Sequence, residues 1–204
     1  AHKELGNNQL ALYDFNTAIY LNPKAHESLK LRGVIFSELG NYEDALRDFN
    51  KAIQLNNSTK LNLAELYNYR GVVYDRLGKS QLAINDHSSA IKLSQNYVGA
   101  HFNRGFVNSK IMDYKNAIID YSTVIRLNPN HKKAYFARGN IYFTKGNYQF
   151  ALDDYNRGIK IDPNFGPAYT IRGLIKSKLG MYYCGDFKRS CELGICENYN
   201  TYCK

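Results

Sequence analysis

The chain has 204 residues, a net charge of +9 and 14% aromatic residues, with Tyr alone supplying 18 side chains. That density of large rings excludes a disordered segment, and no apolar run approaches the roughly 18–20 residues a membrane-crossing helix needs. The charge is uneven: residues 1–97 contribute +1 and residues 98–204 contribute +8.

The dipeptide Arg-Gly recurs at Arg32-Gly33, Arg70-Gly71, Arg104-Gly105, Arg138-Gly139 and Arg172-Gly173, with successive glycines 38, 34, 34 and 34 residues apart. A fixed period near 34 marks a stack of repeated units that bury their apolar faces on one another. Residues 1–22 form a partial unit, the last turn of one helix followed by a whole second helix with Ala11, Phe15 and Ala18 on its inner face, closed by Asn22-Pro23. On this reading the natural protein is expected to extend upstream. The unit at 26–59 carries Arg32-Gly33, a turn at Gly40 and then Ala45, Phe49 and Ala52. About four extra polar residues near Asn57-Ser58-Thr59-Lys60 account for the one longer step. The unit at 60–97 repeats the pattern with Ala83, His87 and Ala90, and the unit at 98–131 with Ala117, Tyr121 and Val124, Met112 standing where the turn glycine is expected.

In the unit at 132–165, Ala134, Tyr135, Arg138, Gly139 and Tyr142 recur at steps of three and four, the signal of one helix face. Gly146-Asn147 ends that helix. A second helix over about Tyr148–Ile161 carries Ala151, Tyr155 and Gly158 and closes at Asp162-Pro163, because the residue before Pro is pushed out of the α region. A divergent last unit spans 166–194, and a short capping helix lies within 195–204. The fold class is all-α: a right-handed superhelical solenoid of antiparallel helix pairs. An acid follows four of the Arg residues at a distance of 16, giving Arg32/Asp48, Arg70/Asp86, Arg104/Asp120 and Arg138/Asp154. Each pair is centred on a turn, so its members face one another across an antiparallel hairpin. A part-buried Arg requires such a carboxylate.

The glycine of the first helix, the Gly-x-Tyr turns (Gly40-Asn41-Tyr42, Gly146-Asn147-Tyr148, Gly180-Met181-Tyr182), the ladder of Ala, aromatic and small residues, and the closing Pro together resemble the tetratricopeptide repeat family. The match covers nearly the whole chain. It departs from the pattern at Met112, at Ser80 in place of the turn Tyr, and in the two full units that lack Pro. The resemblance implies a scaffold without chemistry of its own, whose first helices line a concave groove for an extended peptide or a partner helix. Carried onto this sequence, the groove comprises Asn68, Tyr69, Phe102, Asn103, Phe106, Lys110, Lys133, Phe136, Asn140 and Phe143. Amides there would bond a peptide backbone while the rings bury its side chains. For Phe102 and Phe136 packing between helices is an equal alternative. The family's clamp for a C-terminal carboxylate keeps only Asn103 and Lys133, departing at Asn68, Val72 and Ala137, which disfavours a chaperone-tail receptor. The expected partner is a protein or peptide, acidic with apolar anchors. Nucleic-acid binding through the basic half is the second reading, and self-association of the array a third.

No cofactor is called for. The histidines His2, His26, His87, His101 and His131 show no metal-ligand spacing, and no phosphate loop or nucleophile elbow is present, so the chain is not read as an enzyme. Cys184, Cys191, Cys196 and Cys203 all lie in the last stretch of the chain, placed symmetrically about a turn at Leu193-Gly194. An antiparallel hairpin there brings Cys184 to Cys203 and Cys191 to Cys196 as nested disulfides, which require an oxidising compartment, periplasmic or extracellular. Reduced thiols, consistent with a cytoplasmic protein, and a four-thiolate zinc site are the alternatives. The second lacks the close Cys-x-x-Cys spacing. The same C-terminal stretch, Asp186 to Gly194, resembles the closing helix of bacterial repeat arrays of this kind.

Overall fold

The computed structural model describes the backbone of residues 2–55 and 59–203, with side chains described from residue 7. Asn57 and Ser58 of the expected insertion lie outside the described residues. Among the described residues twelve helices follow in order: α1 His2–Leu21, α2 His26–Glu38, α3 Tyr42–Leu55, α4 Lys60–Arg76, α5 Ser80–Leu93, α6 Val98–Lys110, α7 Tyr114–Leu127, α8 Lys132–Thr144, α9 Tyr148–Ile161, α10 Gly166–Lys178, α11 Cys184–Glu192 and α12 Glu197–Tyr202. No strand occurs among the described residues. α2–α3 and α4–α5 in the first part of the chain, and α8–α9 and α10–α11 in the second, pair as antiparallel hairpins. The chain divides into two compact units, residues 1–107 and residues 108–204.

α1 departs from expectation. The repeat register places a turn at Gly6-Asn7, yet one helix runs unbroken from His2 to Leu21. Keeping the helical hydrogen bonds outweighs the cost of about 1 kcal/mol for an internal glycine.

The hairpin turns are uniform. Gly40, Gly78, Gly146 and Gly180 take φ values of 80°, 72°, 74° and 68°. Met112, the replacement noted in the sequence, adopts the same left-handed conformation at φ 63°. The backbone therefore follows the register even where the residue type resists it.

Within each unit the Arg-Gly dipeptide joins the helices in two ways. The guanidinium grips the facing Asp through two nitrogens: Arg32 holds Asp48 at 2.7 Å twice, Arg70 holds Asp86 at 2.7 and 2.8 Å, and Arg138 holds Asp154 at 2.9 and 2.7 Å. The members of the fourth expected pair, Arg104 and Asp120, fall in different units. The third nitrogen reaches back to the preceding hairpin, where Asn16 accepts from Arg32, Asn50 from Arg70, Ser122 from Arg138 and Asn156 from Arg172. One side chain thus ties three helices. The neighbouring glycine lets the next aromatic lie flat on the first helix, and a Cβ on Gly33 would stand 2.8 Å from the Phe49 ring.

A further clamp was not anticipated. Arg172 grips Asp186 at 3.0 and 2.6 Å across 14 residues rather than 16, because α11 begins only at Cys184 and its Asp lies six residues beyond the turn glycine Gly180 instead of eight. The dipeptide of Asp with a ring, as in Asp48-Phe49, Asp86-His87 and Asp154-Tyr155, recurs at Asp186-Phe187 and would have revealed it.

The core of the first unit gathers Leu29, Leu46, Phe49, Leu66 and Val73, with Ala64, Ala90 and Ala100 in a second cluster. The core of the second gathers Phe136, Leu152, Tyr155, Ile159, Tyr169 and Ile175. Beyond α11 the chain turns at Gly194, φ 98°, and α12 folds back. Cys184 is bonded to Cys203 and Cys191 to Cys196, the nested pairing expected from the symmetry about this turn. No helix among the described residues is long and apolar enough to cross a membrane.

Candidate functional site

The expected groove residues sit on the first helices, and the structure treats them differently in each unit. In the first unit, Asn68 is only 7% exposed. Its Oδ1 accepts from Asn103 Nδ2 at 3.0 Å and meets His87 Nδ1 at 3.1 Å, while its Nδ2 donates to the Tyr97 hydroxyl at 3.3 Å. The assignment of Asn68 to the ligand-facing surface is therefore corrected. Its amide is the hub of a buried polar network, and a buried amide is retained there because its hydrogen bonds are made internally. Burial and the neighbouring Tyr69 and Glu65 push the Tyr97 phenol above its ordinary value, the Asn68 bond opposing them.

Tyr69 is half-buried and stacks on Phe49, centroids 6.0 Å apart. Phe102 and Asn103 are half-buried, and Phe106 is 49% exposed. On the same helical face Lys30 of α2 donates to Glu65 of α4 at 3.1 Å and pairs with Glu27 at 2.9 Å. Burial works against the Lys30 charge, but the bonds to Glu27 and Glu65 outweigh it and hold its pKa above the usual value.

In the second unit, Phe136 is 8% exposed and packs against Phe165 at 5.1 Å and Tyr155 at 5.5 Å. Its ring occupies the space where a Cβ of residue 158 would stand. Phe136 is thus a core residue rather than a groove anchor. The signal was available in the sequence, since the small-residue series turns to glycine, at Gly158, in the unit where the position two before the Arg is this Phe. In the unit at 60–97 that position is Asn68, and the aromatic series there turns to His87. Lys110, Lys133 and Asn140 are exposed, Asn140 accepting a bond from the Tyr155 hydroxyl at 2.5 Å. Phe143 is half-buried against Tyr148 at 5.7 Å. No group of side chains able to hold a metal ion occurs among the described residues.

Helix pairs with a common turn and a common clamp have counterparts among known sequences. Models of the tetratricopeptide repeat match residues 26–58 and 133–165, and a second model of the same repeat matches residues 98–131. The chain belongs to the tetratricopeptide repeat family. Its fold is shared with YrrB, a TPR protein with an unusual peptide-binding site, at TM-score 0.74 and 19% identity over 92% of this chain and 96% of that one. A MamA structure aligns at TM-score 0.71 and 23% identity, covering 79% of this chain and 92% of the other. The C-terminal part of a TPR repeat-containing protein from Cytophaga hutchinsonii aligns at TM-score 0.79 and 17% identity, over 93% and 75% of the two chains. No curated protein matches the sequence. Tetratricopeptide repeats support a protein–protein interaction scaffold, and arrays of this kind are generally non-catalytic.

Proposed function

We propose that the protein is a non-catalytic scaffold whose first-helix faces bind an extended peptide or a partner helix with apolar side chains. The observation that carries this reading is the exposure of a large ring on a first helix. Arg and Gly at the repeat positions are spent on packing, whereas Phe106 keeps 49% of a large apolar side chain open to solvent. Large rings in partly open positions are the usual anchors of protein interfaces. In the first unit Tyr69, Phe102 and Asn103 complete the proposed surface around Phe106. In the second, Phe143 supplies an apolar contact, with Asn140 for the peptide backbone and Lys110 and Lys133 for acidic groups.

Panning a random-peptide library against the whole chain, followed by the substitution Phe106→Ser, tests the proposal. The selected peptides should lose binding to the variant while its thermal unfolding stays unchanged. Retained binding to Phe106→Ser would remove the first-unit face from the reading. Nucleic-acid binding through the basic half is separated by salt: release of counterions makes it steeply salt-dependent, whereas an apolar peptide is held with a shallow slope.

A further inference from the structure

The second unit contains a cavity that none of the proposed first-helix residues lines. Its walls are Pro129 and Asn130 from the loop before α8, Tyr135 from α8, and Arg157, Lys160 and Ile161 from α9. Its volume of about 730 Å³ falls within the range of about 300–1,000 Å³ typical of ligand pockets. We propose that this cavity is a second peptide site, specific for an acidic side chain flanked by an apolar one.

Three observations on the lining carry the assignment. First, Arg157 and Lys160 are exposed and, among the described residues, form no ion pair. The carboxylate that follows Ile161, Asp162, is already held by Lys132 at 2.7 Å, and Asp153 accepts from Gln149. These two cations are therefore available to a carboxylate, which Arg can grip through two nitrogens. The contrast with Arg138, one turn along α8 from Tyr135, is direct, since its guanidinium is fully engaged by Asp154 and Ser122. Second, Pro129 and Ile161 give the cavity an apolar wall beside the cations, the combination that takes an apolar side chain next to an acidic one. Third, Tyr135 is nine-tenths buried as a residue, while its hydroxyl, which makes no hydrogen bond among the described residues, is open to solvent. It supplies a fixed polar group on a rigid ring. The burial of that ring also argues against a nucleic acid, because single-stranded bases bind basic grooves by stacking on open aromatic faces. Tyr135 offers no such face.

The test uses the whole chain and a fluorescently labelled pool of seven-residue peptides with Glu at the centre and Leu, Ile or Phe on either side, compared with the same pool carrying Gln. The Glu pool is expected to bind at least about tenfold more tightly. The double variant Arg157→Gln/Lys160→Gln should abolish that preference without moving the thermal transition, since both side chains are exposed. Phe106→Ser should leave it intact, which separates this site from the first-helix face. Equal binding of the Glu and Gln pools, or a preference that survives the double variant, overturns the proposal. Displacement of the pool by a single-stranded oligonucleotide with steep salt dependence also overturns it, and assigns the cations to nucleic acid.

Discussion

The hairpins α4–α5 and α8–α9 show what is fixed in this array and what is exchangeable. Both are held by a two-nitrogen Arg–Asp clamp of nearly equal length, 2.7 and 2.8 Å in one and 2.9 and 2.7 Å in the other. Both turn through a left-handed glycine, φ 72° and 74°. Their interiors differ completely. α4–α5 joins Asn68 and His87 in a hydrogen-bonded network, whereas α8–α9 packs Phe136 on Tyr155 with the Phe136 ring lying over Gly158. The frame is constant because every hairpin must present the same geometry to its neighbours. The filling varies in matched sets, a bulkier ring on one helix being met by a smaller residue on the other.

The largest expected effect tests that matching. Replacing Phe136 with Ala removes a buried ring and should cost about 3–5 kcal/mol. Gly158→Ala drives a methyl into the same ring and should cost about 1–3 kcal/mol. If the two residues are a matched set, Gly158→Ala should cost almost nothing once Phe136 is Ala. Chemical denaturation of the single and double variants measures the coupling, and simple additivity would show that the two residues are not matched.

The constancy of the frame makes the next prediction. Asp86→Asn and Asp154→Asn each leave a guanidinium that is about one-fifth exposed without its carboxylate, and each should cost about 3 kcal/mol, toward the low end for breaking a buried pair. The two losses should be equal within error despite the different interiors. A marked inequality would mean that the filling, not the clamp, holds one of the hairpins.

How far the sequence discloses this depends on whether a residue answers to the period or to its own neighbours. The turns and the clamps Arg32–Asp48, Arg70–Asp86 and Arg138–Asp154 were legible because they repeat in register. Arg172–Asp186 escaped a rule of fixed spacing because its Asp stands near the start of α11, six residues beyond Gly180 instead of eight. α1 escaped it because Gly6-Asn7, though it resembles the turn sequence of the other hairpins, sits within a continuous helix at a cost of only about 1 kcal/mol. The candidate site was the least legible part. Residues on a first helix face either solvent or an adjacent helix, and a step of one turn does not distinguish them. Asn68 and Phe136 fell on the inner side, and only their complementary changes at His87 and Gly158 mark them as core.

A smaller effect comes from the turn where the residue type is exchanged and the backbone is not. Met112 sits at φ 63°, a conformation that costs an ordinary side chain about 1–2 kcal/mol. Met112→Gly relieves that strain and should stabilise the protein by about 1 kcal/mol after the added chain entropy of glycine. The reverse exchange, Gly146→Met in the α8–α9 turn, should destabilise by a similar amount. Both are read from the denaturation midpoint, and a stabilised Gly146→Met would contradict the common turn geometry.

The smallest expected effect separates the same two hairpins by pH. The first helix of each begins with a side-chain cap: Thr59 accepts from the Asn62 N–H at 3.3 Å at the start of α4, and His131 Nδ1 accepts from the Ala134 N–H at 3.2 Å at the start of α8. Threonine does not titrate, but His131 caps only while that nitrogen is unprotonated. Burial draws the His131 pKa below its ordinary 6.5, a backbone hydrogen bond opposing this and the charge of Lys133 assisting it. The unfolded chain therefore takes up the proton first as pH falls. The stabilisation is complete above pH 6.5 and is lost as the pH drops through the lower, folded value. Hydrogen exchange at the Ala134 amide, corrected for the intrinsic pH dependence, should lose protection as the pH falls below 6.5, with no matching loss at Asn62. Substituting His131→Asn keeps a capping acceptor that does not titrate, and should make the two helix starts respond alike. Protection at Ala134 that stays flat with pH in the natural sequence would show that the imidazole does not carry the cap.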